Sequence, residues 1–279
     1  MALTMDHVPF ACADLDATTA EFERLGLAPE YGGVHDNDAT HMSVLGFDDD
    51  SYLELISERE DAEDGDHGFW PDHIRADAGP AAWCVRVPDI VAECKRVLEA
   101  GHPVRGPLYG ARERDDGTLV EWDRAEFGTG DERLLFPFAI EDRTPLSYRV
   151  APSPSIAGGP LTGIGQVVLA VRDLDSASRT FRSLYRAPKP VFGDVSGFGE
   201  VASFPGLPVA LTTPDGEQWL ESRVERFGEC PCAFLLATDD LESARREHPL
   251  LDSKDWPDGR VAFFDSEPLG RRLGVVERQ

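Results

Sequence analysis

Three of the seven histidines fall within residues 7–41: His7, His35 and His41. A carboxylate, Glu54, follows inside the apolar run Tyr52-Leu53-Glu54-Leu55-Ile56. A neutral imidazole and a carboxylate on neighbouring strands can meet a divalent ion at about 2.0–2.2 Å. Without an ion, the same carboxylate can serve as a general base. At a strand's period of two, Glu54 shares a face with Tyr52 and Ile56. Buried there without a partner it would be costly, so it either has a partner or lies on a wet face. A surface-facing Glu on a half-exposed strand is the competing reading. His41 would share its face with Ser43 and Leu45. His35 follows Gly32-Gly33, where glycines let the backbone turn sharply, and could close over a pocket. For any one histidine, a satisfied or solvent-facing side chain is the ordinary alternative. Trp83 and Trp122 could wall a small-molecule pocket, with core packing as the rival role for both. Arg86 and Arg112 could meet an anionic substrate.

Other chemistries find little support. The five cysteines (Cys12, Cys84, Cys94, Cys230, Cys232) are odd in number and match no zinc spacing. Buried, reduced thiols are the expectation. No Gly-rich phosphate loop, nucleophile elbow or zincin motif occurs. Asp115-Asp116-Gly117 reads as a turn.

The elements that must position these groups come as a repeated unit: an apolar strand, an Asp-hydrophobic pair, then an amphipathic helix. The copies run from His7 to Cys12 with Asp14-Leu15, from Trp83 to Val87 with Asp89-Ile90, from Gln166 to Val171 with Asp173-Leu174, and from Phe234 to Ala237 with Asp240-Leu241. Each Asp stands where a helix N-cap belongs. Leu15, Thr18, Phe22 and Leu25 form a single apolar stripe, and Leu174, Ala177, Phe181 and Leu184 repeat its register. Gly26 and Gly101 suit helix C-caps. Extended segments follow each helix, among them 40–45 and 52–56 in the first copy and 118–122 and 133–138 in the second. Four β-α-β-β units, with room for one more strand each, predict an α+β protein. Segment 143–160, rich in Pro and Gly, is the best domain boundary. It divides the chain into domains 1–142 and 161–279. The stretch from Glu58 to Asp66 reads as a solvated acidic loop leading into a short helix near Phe69, Trp70 and Ile74.

The chain carries 52 Asp and Glu against 27 Lys and Arg in 279 residues, a formal net charge of -25. Phosphate backbones and anionic membranes repel such a surface, so neither nucleic acid nor membrane is an expected partner. Only Lys95, Lys189 and Lys254 are lysines. An acidic, lysine-poor surface predicts a halophilic, most simply haloarchaeal, source, where salt screens self-repulsion; an ordinary acidic cytosolic protein is the alternative. No apolar run approaches 18 residues and no secretory signal is evident, so a cytoplasmic location is expected.

Asp6-His7-Val8, Asp14-Leu15, Gly32-Gly33-Val34-His35, Ala39-Thr40-His41 and Tyr52-Leu53-Glu54-Leu55-Ile56, in that order, resemble the glyoxalase-like branch of the vicinal oxygen chelate superfamily. Leu135-Phe136-Pro137-Phe138 adds to the likeness. The resemblance covers 1–142 well and implies a second, degenerate copy in 161–279. It implies four βαβββ units paired into two cupped mixed sheets with helices on the outside. It also implies a pocket in each cup, where a divalent ion (Zn, Mn, Ni or Fe) is held by a His or Gln of a first strand and a Glu of a closing strand. Activities in the superfamily include glyoxalase-type lyase and isomerase reactions, epimerisation, ring-cleaving dioxygenation and fosfomycin opening. Other members, of the bleomycin-resistance type, bind a small molecule without metal. The fold alone does not choose among them.

Carried over residue by residue, the resemblance makes His7 and Glu54 metal ligands, with His41 completing a His-His-Glu set. Independently of it, Glu54 could be the catalytic group as a general base, and His35, Trp83, Arg86 and Trp122 could contact substrate. The departures are specific. Ala82 falls opposite His7 in the second unit, and Phe136, Pro137 and Phe138 offer no ligand on its closing strand. In the third unit Gln166 falls opposite His7, but Ala210 and Leu211 supply no acid, and Glu277 is the only closing-strand acid of the second pair. The second domain is therefore expected to be metal-free and structural, or a ligand pocket. A small-molecule ligand is the expected partner, and open sheet edges leave room for a homodimer.

Overall fold

The structure is a computed structural model and describes residues 3–35, 37–60, 62, 69–114 and 117–278. Most of the acidic stretch and the Asp115-Asp116 turn fall outside those residues. The first half contains β1 (Thr4–Ala11), α1 (Leu15–Arg24), β2 (Glu30–Val34), β3 (Thr40–Gly46) and β4 (Tyr52–Glu58). After a short α2 (Pro71–Arg75) and β5 (Gly79–Pro80) come β6 (Cys84–Arg86), α3 (Ile90–Glu99), β7 (Val104–Glu113), β8 (Leu119–Phe127) and β9 (Phe138–Asp142). The second half repeats the plan with β10 (Gly163–Ala170), α4 (Leu174–Leu184), β11 (Val191–Val195), β12 (Gly199–Ser203) and β13 (Val209–Thr212). It continues through α5 (Gln218–Phe227), β14 (Cys230–Thr238), α6 (Leu241–Glu247), β15 (Lys254–Trp256), β16 (Gly259–Phe263) and β17 (Leu273–Arg278).

The four aspartates cap as the sequence predicts. Asp14, Asp89, Asp173 and Asp240 accept from the backbone N–H of Ala17, Ala92, Ser176 and Ser243 at 2.8–3.0 Å, each stabilising its helix by about 1 kcal/mol. Three strands follow each helix, completing the βαβββ units. The additional ones (β2, β7, β11, β15) lie at the outer edges of the two sheets. The sheets share one order, β2-β3-β4-β1-β6-β9-β8-β7 and β11-β12-β13-β10-β14-β17-β16-β15. In each, the first strand pairs in parallel with its own closing strand and antiparallel with the first strand of the sister unit. One expectation fails locally: the chain from Arg133 to Pro137 is turn, and the strand begins only at Phe138.

The helix-bearing faces of both sheets pack into a single core. Phe10, Phe22 and Trp83 of the first half join Phe181, Phe204 and Phe234 of the second. Trp83 stacks on Phe181 with ring centroids 6.4 Å apart. Segment 143–160 packs closely as well: Arg149, Val150, Ser153 and Ile156 are buried. Ser153 bonds Gly46 through both its backbone and its hydroxyl. A Cβ at Gly46 would stand 2.1 Å from the Ala151 carbonyl oxygen, so this close approach requires glycine.

A second bridge joins α2 to α5. Arg223 of α5 donates to the carbonyls of Pro231 and Ala78 at 2.8 Å, and to that of Pro80. His73 of α2 stacks on Phe227 at 4.1 Å, and its buried Nε2 has no hydrogen-bond partner among the described residues. Burial, then the charges of Arg223, Arg133 and Arg226, push the His73 imidazole down to about 3. The unfolded chain takes up that proton near pH 6.5 while the folded chain does not. Stability should therefore fall as pH drops from about 6.5 toward 3, at up to about 1.4 kcal/mol per pH unit from this group. Denaturant midpoints across that range should show a shallower acid limb in His73→Phe.

Candidate functional site

His7 and Glu54 line one cavity of about 590 Å³ in the first sheet. They do so for the reason their spacing suggests. Parallel pairing sets His7 beside Tyr52 and Pro9 beside Glu54, so the alternating face of both strands points the same way. The His7 ring stacks on Tyr52 at 4.6 Å and meets the Phe138 edge at 5.2 Å. His35, at the end of β2, brings its Nε2 to 3.5 Å from Glu54 Oε1, while its Nδ1 lies 2.9 Å from the Thr40 hydroxyl. Burial alone would raise the Glu54 carboxyl. The hydrogen bond from His35 and the charges of His35, His7 and Arg112 outweigh it, and hold the group below its ordinary value. Glu54 is thus an ionised carboxylate in an apolar wall.

Behind His7 lies a buried charge network. Asp6, fully buried, accepts from both terminal nitrogens of Arg149 at 2.7 Å and from Arg86 Nε at 2.9 Å. One of its oxygens lies 2.6 Å from His7 Nδ1. Burial pushes the Asp6 carboxyl up, but the charge of Arg149 and the bonds from His7 and Arg149 leave it far below the usual carboxylate range. Arg149 also grips Asp142 at 2.8 Å and donates to the Tyr52 hydroxyl at 3.1 Å.

The remaining wall is aromatic. Phe69 meets the edge of His35 at 5.5 Å and carries Arg124 over its face at 5.1 Å. Trp70 packs on Phe138 at 6.1 Å from a left-handed backbone (φ 51°), an unusual conformation for a bulky residue. Trp122 lines the cavity, its ring crossing Gly110, where a Cβ would come within 2.6 Å.

Three expected site residues lie elsewhere. His41 is not in the lining: Met42 and Val44 face the cavity, so alternation turns His41 toward the other side with Leu45, a core residue. Its ring lies at 6.2 Å from that of Tyr31. Trp83 is wholly buried in the core between the halves, its indole N–H donating to the Leu135 carbonyl at 3.2 Å. Arg86 serves Asp6 and the Asp50 carbonyl. Asp6, Arg149, Phe69, Trp70 and Phe138 had no assigned role in the sequence. Asp6 beside His7 is visible there, whereas nothing marks Arg149 among the prolines.

Of the expected metal set, His7 and Glu54 share the cavity while His41 points away, and Ala82 and Phe138 stand at the sister positions of His7 and Glu54. Among the described residues, Asp6, His7 and Cys84 do bring three potential ligand atoms within 4.8 Å of one another. Their chemistry does not suit a cation. Asp6 is already bonded to two guanidinium groups. Burial, with the charge of Asp6 next, raises the Cys84 thiol well above its ordinary value, so it is no thiolate.

The second cup is filled. Gln166 donates to Ser203 at 2.8 Å and accepts from Trp256 at 2.6 Å. Phe198 packs against Phe263, Trp256 and Trp219 at 5.3–5.7 Å. Leu220 and Val224 of the ten-residue α5 join that cluster, whereas α2 has five residues. Glu277 turns away to accept from the backbone N–H of Leu241.

Paired βαβββ units, two curled mixed sheets and a cavity inside one of them define an α+β fold of the vicinal oxygen chelate type. Residues 5–185, more than half the chain, match the family described as "Glyoxalase-like domain", and the chain belongs to that family. A hypothetical protein from Staphylococcus aureus superposes with a TM-score of 0.65 at 12% identity, covering 98% of each chain. A "xylose isomerase-like TIM barrel/4-hydroxyphenylpyruvate dioxygenase fusion protein" gives 0.59 at 17%, with 100% of this chain spanning 49% of that one. A mutant of 4-hydroxymandelate synthase from Streptomyces coelicolor gives 0.62 at 14%, covering 100% and 93%. At such identities these likenesses establish the fold. No curated protein matches the chain.

Proposed function

We propose that the first cup is a small-molecule site and that the second half is its structural support. The contrast between the cups carries this reading. One encloses about 590 Å³ around His7, His35 and Glu54, while the other packs aromatic rings over the matching positions. The chemistry on offer is proton transfer, of the kind a lyase or isomerase uses. Glu54, held ionised, is the proton acceptor. His35, at 3.5 Å, is placed to stabilise the carboxylate or take the proton onward. His7 is oriented by Asp6 with Nδ1 occupied, which leaves Nε2 for the ligand. Sequestration of a ligand without turnover uses the same pocket, and the aromatic wall favours a ligand with an apolar body.

Ala82 lines the cavity opposite His7, so a larger side chain there should reproduce the closed state of the second cup. Ala82→Phe is expected to abolish ligand-induced thermal stabilisation, which for an occupied site reaches about 2.7 kcal/mol at a hundredfold excess over Kd. Retention of the full shift in Ala82→Phe would remove the pocket from the account. The acidic, lysine-poor composition further supports a halophilic setting, and unfolding midpoints that do not rise with molar KCl would remove that part.

A further inference from the structure

The lining of the first cup is more basic than acidic, in a chain of formal net charge -25. Arg105, Arg112, Arg124, Arg133 and Arg149 reach it, against Glu54, Asp72 and Glu126. Most of the positive charge is cancelled locally. Arg149 lies on Asp6 and Asp142, and Arg105 and Arg124 share Glu126 at 3.4 and 3.1 Å. Arg133 is exposed at the rim.

Arg112 differs from these. Its Nη1 donates to the Gly32 carbonyl at 2.5 Å and its Nη2 to the Arg149 carbonyl at 3.0 Å. No carboxylate of the described residues lies within ion-pair distance of it. Burial pulls its pKa down, while the neighbouring Tyr52 and Glu54 oppose that shift. A guanidinium has five N–H groups. Two serve carbonyls here, and the other three have no partner among the described residues, on a fork that β2 and the 143–160 segment hold in place before any ligand arrives. A planar fork matches the two oxygens of a carboxylate in a way a point charge does not. Meanwhile, beyond His7, His35 and Glu54, the groups suited to a divalent ion are replaced by Ala82 and Phe138 at the sister positions or, like Asp6, already bonded to arginine.

We propose that Arg112, rather than a divalent metal, is the fixed cation of this pocket, and that the ligand is a small organic carboxylate held by its free N–H groups. This rests on the first cup being the ligand site. The probes are benzoate and phenylacetate, set against benzamide and phenylacetamide, with calorimetry and the fluorescence of the wall tryptophans as readouts. Metal content is measured after incubation with Zn, Mn, Ni or Fe. The acids should bind and the amides should not. Arg112→Met should weaken acid binding by about 30-fold or more, the range of a lost charge-assisted pair. Arg112→Lys, which keeps the charge and the fold but not the fork, should weaken it several-fold. Metal should stay well below one equivalent and be indifferent to His7→Ala and Glu54→Gln.

Four results would overturn the proposal: acids and amides binding alike; no acid binding at about 10 mM, the range of weak fragments; full affinity in either folded Arg112 variant; or one equivalent of metal lost in both His7→Ala and Glu54→Gln. Acid binding that disappears in Ala82→Phe but persists in Arg112→Met refutes Arg112 and leaves the pocket standing. Binding that persists in Ala82→Phe refutes the pocket itself.

Discussion

Arg149→Met is expected to destabilise the protein by about 3–5 kcal/mol, the range for removing one member of a buried ion pair. The large effect comes from what is left behind. Asp6 is fully buried and takes two bonds from Arg149, and Asp142 takes two more. Methionine fills similar space but leaves both carboxylates short of a cation, with Arg86 and the His7 imidazole still on Asp6. The pH dependence follows from Asp6. Its folded pKa is held below the unfolded value of about 3.9, so its contribution is present above that pH and is lost as pH falls below it. The gap between wild type and variant, measured by urea unfolding, should therefore be widest near neutrality and shrink in acid. A gap of under about 1 kcal/mol at pH 7 would place this network in water rather than in the core.

Trp83→Ala should cost about 3–5 kcal/mol, the range for deleting a buried aromatic side chain. Trp83 has no exposed surface, stacks on Phe181 from the other half, and satisfies the Leu135 carbonyl. Its loss opens a cavity where the two sheets meet and orphans an acceptor. Trp122→Ala should do the opposite, leaving stability nearly intact while weakening ligand binding, because its ring is part of the cavity wall. Thermal melts with and without ligand separate the two. If Trp83→Ala altered affinity and Trp122→Ala did not, the wall would have been assigned to the wrong tryptophan.

The four units were legible because each begins with a rigid local signal, an Asp cap after an apolar strand, which acts within a few residues. The edge strands were harder to see. β7, for example, is mostly exposed, with no apolar alternation to mark it. His7 and Glu54 could be placed on one face because parallel strands of like period bring them together. His41 could not. Both faces of β3 carry buried apolar side chains, Met42 on one and Leu45 on the other, so alternation gives no sign of which is the pocket. The same ambiguity hides Trp83. Arg149 depends on carboxylates up to 143 residues away, which no local pattern records; Arg112 could be named as a candidate for an anion but not placed, because the carbonyls that hold it lie 80 and 37 residues away.

In the proposed site, His7 and His35 share one ligand cavity with Glu54, and His41 does not. Side-chain imidazole NMR during a benzoate titration tests it directly. The resonances of His7 and His35 should move together with one binding constant, while those of His41, His73 and His248 stay where they are. Movement of the His41 signal with His7 and His35 unchanged would contradict the account.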